Sequence, residues 1–146
     1  MSDMTPQQCA EYVRDGLLKK DRATHSLGIA VLSIGPGHAT LSMQIREDML
    51  NGHATCHGGF MATLADSAFA FACNSYNELT VASGFNIDFL APGRLDDCLT
   101  AQCVEVSRVG RTGIYDTAVT NQRGERVAFF RGRSHTVKGT LAVGPA

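Results

Sequence analysis

The stretch NGHATCHGGFMATLADSAFAFACNSY, residues 51 to 76, contains the side chains of this chain whose types and spacing could do chemistry together. Gly58 and Gly59 precede a nearly continuous apolar run, and a single carboxylate, Asp66, lies in the middle of that run. A charge among apolar side chains is costly unless a neighbour pairs with it or a reaction uses it. Asp66 is therefore either a buried carboxylate satisfied by a neighbouring group or a reactive one.

Gly58 is suited to a different role from that of Asp66, namely that of a backbone hydrogen-bond donor. N–H groups at the start of a helix have no intrahelical partner, and the helix dipole adds partial positive charge there. Such a donor polarises an acyl carbonyl and stabilises the negative oxygen that develops on attack. Glycine also allows a substrate to approach the backbone closely. The start of this helix therefore predicts an anion or oxyanion site.

Asp66 follows Gly58 by eight residues, which corresponds to roughly 12 Å along a helix axis. Catalytic groups must lie within roughly 3 Å of the reacting atoms, so one carbonyl cannot touch both residues of the same helix. The two can cooperate only across antiparallel copies of the helix. The spacing therefore predicts a two-fold dimer with two composite sites.

His53, Cys56 and His57 allow two further interpretations, which the spacing disfavours. Three potential ligands within five residues, with no second cluster, match no common zinc spacing. Cys56 and His57 could form a thiol–imidazole pair, but adjacent side chains usually point apart. We therefore expect neither a metal site nor a cysteine nucleophile.

The elements that must position this stretch follow an α+β order. Residues 5–18 begin with Thr-Pro and have near-helical apolar spacing, which predicts a short amphipathic helix. Two strands are predicted between residues 25 and 46, around the Gly35-Pro36-Gly37 turn. A buried helix of about eighteen residues follows Gly58. Four β-like runs complete the chain, with a turn predicted at Pro92-Gly93 and short turns between the runs, as in an antiparallel meander.

The central helix is apolar on nearly every side, so it must be surrounded. A sheet covers only one side of it, and a second copy of the chain most simply covers the other. Residues 1–146 are predicted to form one domain, in which the segment 138–146 has no clear period and is expected to be flexible.

Composition narrows the class of partner. The net charge of -1 is too balanced to indicate binding to nucleic acid or a membrane surface. The most apolar window is too short to span a bilayer. Five cysteines, an odd number with no CxxC spacing, and the absence of a signal-like N-terminus predict a reducing cytoplasm.

Four blocks carry a family resemblance: NGHATCHGGFMATLADSAFAFACNS, VASGFNIDFLAPG, TGIYDTAV and VAFFRGRSH. In this order they resemble the hotdog-fold thioesterases of the phenylacetate degradation pathway, which act on phenylacetyl-CoA or hydroxyphenylacetyl-CoA. The similarity extends from about Thr5 to His135. It implies a six-stranded antiparallel sheet wrapped around a long central helix, homodimers that pair into homotetramers, and acyl-CoA thioesters as substrates.

The resemblance also implies roles for individual residues. Asp66 is the catalytic carboxylate, acting as nucleophile or as general base on water, and Gly58 supplies the polarising N–H. Asn51 and His57 match polar residues near the thioester and the attacking water, and Ser67 matches a neighbouring hydroxyl. No cofactor is implied, because coenzyme A is part of the substrate. A thioester already has a good leaving group, so one carboxylate and one oxyanion donor suffice.

Other candidates concern substrate binding, and two rival functions stay open. Arginine pairs well with phosphate oxygens. The candidates for binding the coenzyme A phosphates are therefore Gly110, Arg111, Arg131 and Arg133. The candidates for lining the acyl pocket are Phe60, Met61 and Leu64. The rivals are a non-catalytic acyl-CoA-binding or sensing module on the same scaffold and a hotdog hydratase or dehydratase. The second rival is disfavoured because only His57 lies near the buried helix.

Overall fold

The computed structural model of the protein describes residues 3–141. It consists of one curved antiparallel sheet around a long helix, preceded by a shorter N-terminal helix, as predicted. The elements are α1 (Pro6–Leu18), α2 (Arg22–Ser26), β1 (Ala30–Gly35), β2 (His38–Gln44), a single 3-10 turn (Glu47–Met49), α3 (Gly58–Asn74), β3 (Glu78–Phe89), β4 (Cys98–Val109), β5 (Thr112–Thr120) and β6 (Arg126–Thr140).

The N-terminal helix α1 begins where the Thr-Pro pair predicts. The Thr5 hydroxyl accepts a hydrogen bond from Gln8 N, and the Gln8 side chain accepts one from Thr5 N. Pro6 occupies the first helical position, where no N–H is needed. Ala10 and Val13 are fully buried, so this helix covers one end of the core.

The long helix α3 forms the centre of the core and contacts all six strands. Its buried side chains are Met61, Leu64, Ala65, Ala68, Phe69, Phe71, Ala72, Cys73 and Asn74. Another set of residues, spaced three and four apart, stays half-buried and therefore forms one stripe along the helix. We call this set the open stripe; it consists of Ala62, Thr63, Asp66, Ser67 and Ala70. The sheet thus leaves uncovered the side of α3 that carries the carboxylate.

The order of strands in the sheet is β1-β2-β4-β5-β6-β3, with every pair antiparallel. The expected meander, with a tight turn at Pro92-Gly93, is therefore wrong at one junction. β3 pairs with β6 and not with β4, so residues 90–97 must carry the chain across the end of the sheet. A two-residue hairpin turn joins only strands that pair directly.

This order makes β3 an edge strand. One side of β3 pairs with β6, and the other side has no partner among the described residues. Phe85 and Phe89, 41% and 51% exposed, project from its concave face, where they oppose the small residues Gly132 and Ala128 of β6. A long edge strand with exposed apolar side chains is a surface that another chain can cover.

Short elements and the C-terminal segment refine the predicted boundaries. The five-residue helix α2 and the 3-10 turn were not predicted, because neither is long enough to show a period. Strand β6 continues through Lys138 to Thr140, so the start of the segment expected to be flexible belongs to the sheet. Residues 142–146 of that segment lie outside the described residues. No helix within residues 3–141 is both long and apolar enough to cross a membrane.

A buried carboxylate holds the 90–97 crossover in place. Asp97 is 4% exposed, and its Oδ1 accepts hydrogen bonds from Gln122 Nε2 at 2.8 Å and Arg123 Nη1 at 3.4 Å. Its Oδ2 accepts from Arg94 N at 3.0 Å. The Gln122 bond, with help from the other two donors, lowers the pKa of Asp97 below the usual range. The carboxylate therefore ties residues 94–97, the second half of the crossover, to the β5–β6 turn.

We predict that Asp97→Asn lowers the free energy of unfolding by about 1–3 kcal/mol, because the new amide N–H₂ group faces donors. Urea denaturation measures the loss. A group with a lowered pKa stabilises the fold above its unfolded pKa, so the loss should shrink as the pH falls below about 4. Asp96→Asn is the control, since Asp96 is exposed and asparagine tolerates its φ of 69°. Equal stability of the two variants at neutral pH would contradict the prediction.

Candidate active site

The Asp66 carboxylate lies half-buried on the open stripe, and no described residue balances its charge. It makes no hydrogen bond or ion pair with any residue that the structure describes, and partial burial raises its pKa. The alternative of a carboxylate satisfied by a neighbour in its own chain is therefore not met. Ser67 follows on the same stripe and likewise makes no hydrogen bond within the described residues.

Gly58 is the first residue of α3, and its N–H makes no hydrogen bond within residues 3–141. The preceding residue, His57, is the N-cap, but its side chain forms no capping bond. A methyl group placed on Gly58 would stand 2.6 Å from Cζ of Phe89, closer than real Cβ contacts allow. A side chain at residue 58 would therefore displace the Phe89 ring, and a free donor remains at the helix start.

An open groove of about 420 Å³ lies directly beside this donor. Its walls come from the loop before α3, the first turn of α3, the end of β3 and the crossover. They are formed by Thr55, Cys56, Gly58, Met61, Phe89, Leu90, Ala91 and Pro92. The groove has the size of a small-ligand pocket and a mostly apolar lining. A ligand in it can present a carbonyl oxygen to Gly58 N–H.

Asn51 shapes the loop that precedes the helix. Its Oδ1 accepts hydrogen bonds from His53 N, Thr55 N and Thr55 Oγ1, at 2.9, 3.2 and 3.2 Å. Its own N–H donates to Thr55 O, and His57 N donates to Met49 O, which closes the loop against the 3-10 turn. The Nδ2 group carries no hydrogen bond within the described residues. Asn51 thus orders the loop and keeps a free donor.

The structure brings the predicted site residues together in two groups. Asn51, His57 and Gly58 lie at the start of α3, and the His57 side chain is exposed. Asp66 and Ser67 lie in the middle of the helix, and an eight-residue separation along a continuous helix corresponds to roughly 12 Å. Neither group alone holds both a carboxylate and an oxyanion donor.

The coenzyme A candidates lie away from both groups. Gly132 packs against Phe69 of α3, so its neighbours Arg131 and Arg133 project from the opposite, outer face of the sheet. Arg131 forms a two-bond ion pair with Asp116, at 2.6 and 2.7 Å. Arg133 donates instead to the neutral Asn86 Oδ1, at 3.0 Å.

The other two candidates, Gly110 and Arg111, form the exposed turn between β4 and β5. Gly110 has a φ of 62°, which favours glycine at this turn. The Arg111 guanidinium has no partner among the described residues. Of the three arginines, Arg131 alone has its charge neutralised by a carboxylate, which makes it the weakest candidate for a phosphate.

The thiol next to this site is not activated. Burial raises the pKa of Cys56 to about 11, so at neutral pH it is a protonated thiol. Its Sγ donates to His57 O at 3.4 Å. Residues 3–141 contain no group of three His, Cys, Asp or Glu side chains placed to hold a metal ion.

Phe89 is a wall residue of the groove that the predicted acyl pocket did not include. Of the predicted pocket residues, Met61 lines the groove, Leu64 is fully buried in the core and Phe60 is half-buried against it. The alternation of Phe85, Ile87 and Phe89 indicated a shared face of β3. That this face ends at Gly58 depends on the sheet order, which no local pattern specifies.

Comparison with known proteins identifies the class. Residues 53–128 match the thioesterase superfamily. The chain belongs to this superfamily, its fold is the predicted hotdog fold, and it is a thioester hydrolase. It is 44% identical over 125 residues to the acyl-coenzyme A thioesterase PaaI of Escherichia coli (strain K12), across 86% of this chain and 89% of the relative.

Solved structures give the same result. The structure of E. coli PaaI, from the phenylacetic acid degradation operon, matches with a TM-score of 0.92 at 41% identity, covering 93% of this chain and 99% of that one. The TT0310 protein of Thermus thermophilus matches with a TM-score of 0.78 at 37% identity, covering 81% of this chain and 99% of that one. The protein smu.793 of Streptococcus mutans UA159, bound to acetyl CoA, matches with a TM-score of 0.73 at 26% identity, covering 77% of this chain and 90% of that one.

The two adjacent glycines provide a test of the groove. We predict that Gly58→Ala lowers thioester hydrolysis on the order of a hundredfold, because the new methyl group displaces the Phe89 ring into the groove. Gly59→Ala is the matched control, since its added methyl group meets no atom within 4 Å. Steady-state rates of both variants on one thioester check this. A Gly58→Ala enzyme as active as Gly59→Ala would show that close packing at Gly58 is irrelevant to turnover.

Proposed function

We propose that this chain is an acyl-CoA thioesterase that hydrolyses phenylacetyl-CoA or hydroxyphenylacetyl-CoA to the free acid and coenzyme A. One observation carries the proposal: the half-buried Asp66 carboxylate has no partner within the described part of its own chain, yet it lies on the open stripe of the central helix. The extensive similarity to the acyl-coenzyme A thioesterase PaaI supports the substrate class. The phenylacetic acid degradation operon of that relative supports an arylacetyl group.

The active site in this proposal is shared between two copies of the chain. Because Gly58 and Asp66 are two turns apart on one helix, Gly58 of one copy and Asp66 of the other must face a single thioester. Antiparallel packing of two open stripes satisfies this requirement twice. The unpaired edge of β3, with exposed Val81 and Phe85, supplies further surface for the same two-fold contact.

We also propose a quaternary structure above the dimer and a cellular location for the enzyme. The dimers pair into homotetramers, for which the exposed Val104 and Val106 of β4 offer an apolar surface. The enzyme acts in the reducing cytoplasm, and all five cysteines, each within the described residues, are free.

The proposed reaction uses one donor and one carboxylate. Gly58 N–H binds the thioester carbonyl and stabilises the oxyanion. Asp66 either attacks the carbonyl carbon, which gives a mixed anhydride, or removes a proton from the attacking water. The coenzyme A thiolate leaves in both cases. Asn51 Nδ2 and the His57 side chain, both without hydrogen bonds within residues 3–141, orient the thioester and the water. Ser67 contributes a hydroxyl beside the carboxylate.

Arginines bind the coenzyme A phosphates in this proposal, from the partner's side of the site. β3 runs from the end of the sheet that holds the β4–β5 turn to the end beside Gly58. Antiparallel pairing therefore brings Arg111 of one copy toward the Gly58 end of the other. No carboxylate within residues 3–141 neutralises the charges of Arg111 and Arg133, so we assign them the larger part of this binding. Gly110 shapes the turn, and Arg131 contributes less because Asp116 already pairs with it.

Replacing the carboxylate tests the proposal. We predict that Asp66→Asn lowers kcat for phenylacetyl-CoA by roughly 10²–10⁴-fold, because the amide neither attacks nor accepts a proton. Asp88→Asn, the same change at an exposed residue of β3, is the control and should keep the parent's rate. A thiol-trapping assay on a panel of acyl-CoA thioesters measures both. Equal rates for Asp66→Asn and the parent would remove Asp66 from the reaction, and no hydrolysis by the parent would favour the binding module.

The raised pKa of Asp66 also predicts how the rate depends on pH. The reaction needs the carboxylate, so kcat/KM should fall on the acid side at a pH above the ordinary aspartate pKa of about 3.9. Burial of the charged form also costs folding free energy above that pKa. Asp66→Asn should therefore unfold at a higher temperature than the parent at pH 7, and the difference should vanish at low pH. A variant less stable than the parent at pH 7 would contradict this.

A further inference from the structure

The ring of Phe89 stands over the proposed oxyanion donor. Phe89 is the last residue of β3, and its position opposite the small Ala128 leaves room for its ring on the concave face. Its Cζ, Cε2 and Cε1 atoms would lie 2.6, 2.9 and 3.0 Å from a methyl group on Gly58. The tip of the ring therefore points at the Gly58 backbone. Because Gly58 and Phe89 line the same groove, an acyl group in that groove whose carbonyl binds Gly58 N–H lies beside this ring.

The rest of the groove distinguishes the acyl part of a substrate from the polar part. The N–H groups of Thr55 and Cys56 already donate to Asn51 Oδ1 and Gly93 O. Those of Leu90 and Ala91 both donate to Val127 O, and Pro92 has no N–H. The amide carbonyls of a pantetheine arm would therefore find few N–H donors on these walls, and a buried carbonyl without a donor is costly. A carbonyl oxygen on Gly58 followed by an apolar body meets no such cost.

We infer that Phe89 is a specificity-determining residue that selects aryl acyl groups by packing against their ring. This inference rests on the proposed acyl-CoA thioesterase function and assigns the acyl end of the substrate to the groove beside Gly58. Phe89 is 51% exposed within the described residues, and it lines the groove, so part of its surface is available to a ligand there. Aromatic pairs gain more than area burial alone when their rings meet edge to face or offset. Met61, 3% exposed, adds a thioether to the same wall, and sulfur also packs well on aromatic rings.

The test compares two substrates and four proteins. The substrates are phenylacetyl-CoA and octanoyl-CoA, and the quantity is the ratio of their kcat/KM values. The proteins are the parent, Phe89→Ala, Phe89→Leu and Phe85→Ala. We expect the aryl-to-alkyl ratio to fall roughly tenfold in Phe89→Ala, through loss of phenylacetyl-CoA turnover and not of octanoyl-CoA turnover. Phe89→Leu keeps apolar volume at the site, so it should fold like the parent and still lose part of the ratio.

Phe85→Ala is the matched control. Phe85 lies on the same face of the same strand with comparable exposure, but its ring packs on Phe130, at 4.7 Å between centroids, and not on Gly58. Its replacement should leave the ratio unchanged, whatever it does to absolute rates. An unchanged ratio in both Phe89 variants, in a parent that hydrolyses both thioesters, overturns this inference alone. A parent that hydrolyses neither substrate overturns the proposed function and this inference with it.

Discussion

The distance between Gly58 and Asp66 along one rigid helix is the constraint on which the account depends. Eight residues of α-helix correspond to roughly 12 Å, several times the reach of a hydrogen bond. A chain with an oxyanion donor at one position and a carboxylate at the other cannot complete a site by itself. The fold is consistent with this, because the sheet covers α3 on all sides except the open stripe that carries Asp66. In the proposed two-fold pair, each chain supplies what the other lacks, which gives two complete sites.

The same geometry explains why an unpaired carboxylate is tolerated. No neighbour among the described residues satisfies the partly buried Asp66 carboxylate, so its charged form costs folding free energy. Such a cost is typical of groups that a reaction uses. The surrounding core compensates for it through side chains of α3, β2, β4 and β5 that are almost fully buried. Glycine at the helix start serves a second purpose, since a Cβ there would force the Phe89 ring out of its position.

Much of this could be predicted from local pattern. The Thr-Pro start and apolar spacing specified α1, and the apolar run specified α3. The single acid and the glycine pair indicated the two halves of the proposed site. The strand order could not be predicted, because a run of alternating residues does not say which strand it pairs with. Two findings depend on that order. The Phe89 ring packs beside Gly58, and Arg131 forms an ion pair with Asp116 on the neighbouring strand. The five residues of α2 are too few to show a helical period.

Complementation between two inactive variants tests the shared site most directly. Asp66→Asn and Gly58→Ala subunits with different affinity tags are produced together, and mixed assemblies are isolated through both tags. Each mixed dimer then has one site with both defects and one site with neither. A shared site predicts that each variant alone is nearly inactive and that doubly tagged assemblies, in which mixed dimers form alongside like pairs, regain activity up to about half of the parent's. Mixed assemblies no more active than the two variants would contradict the claim that two chains share one thioester.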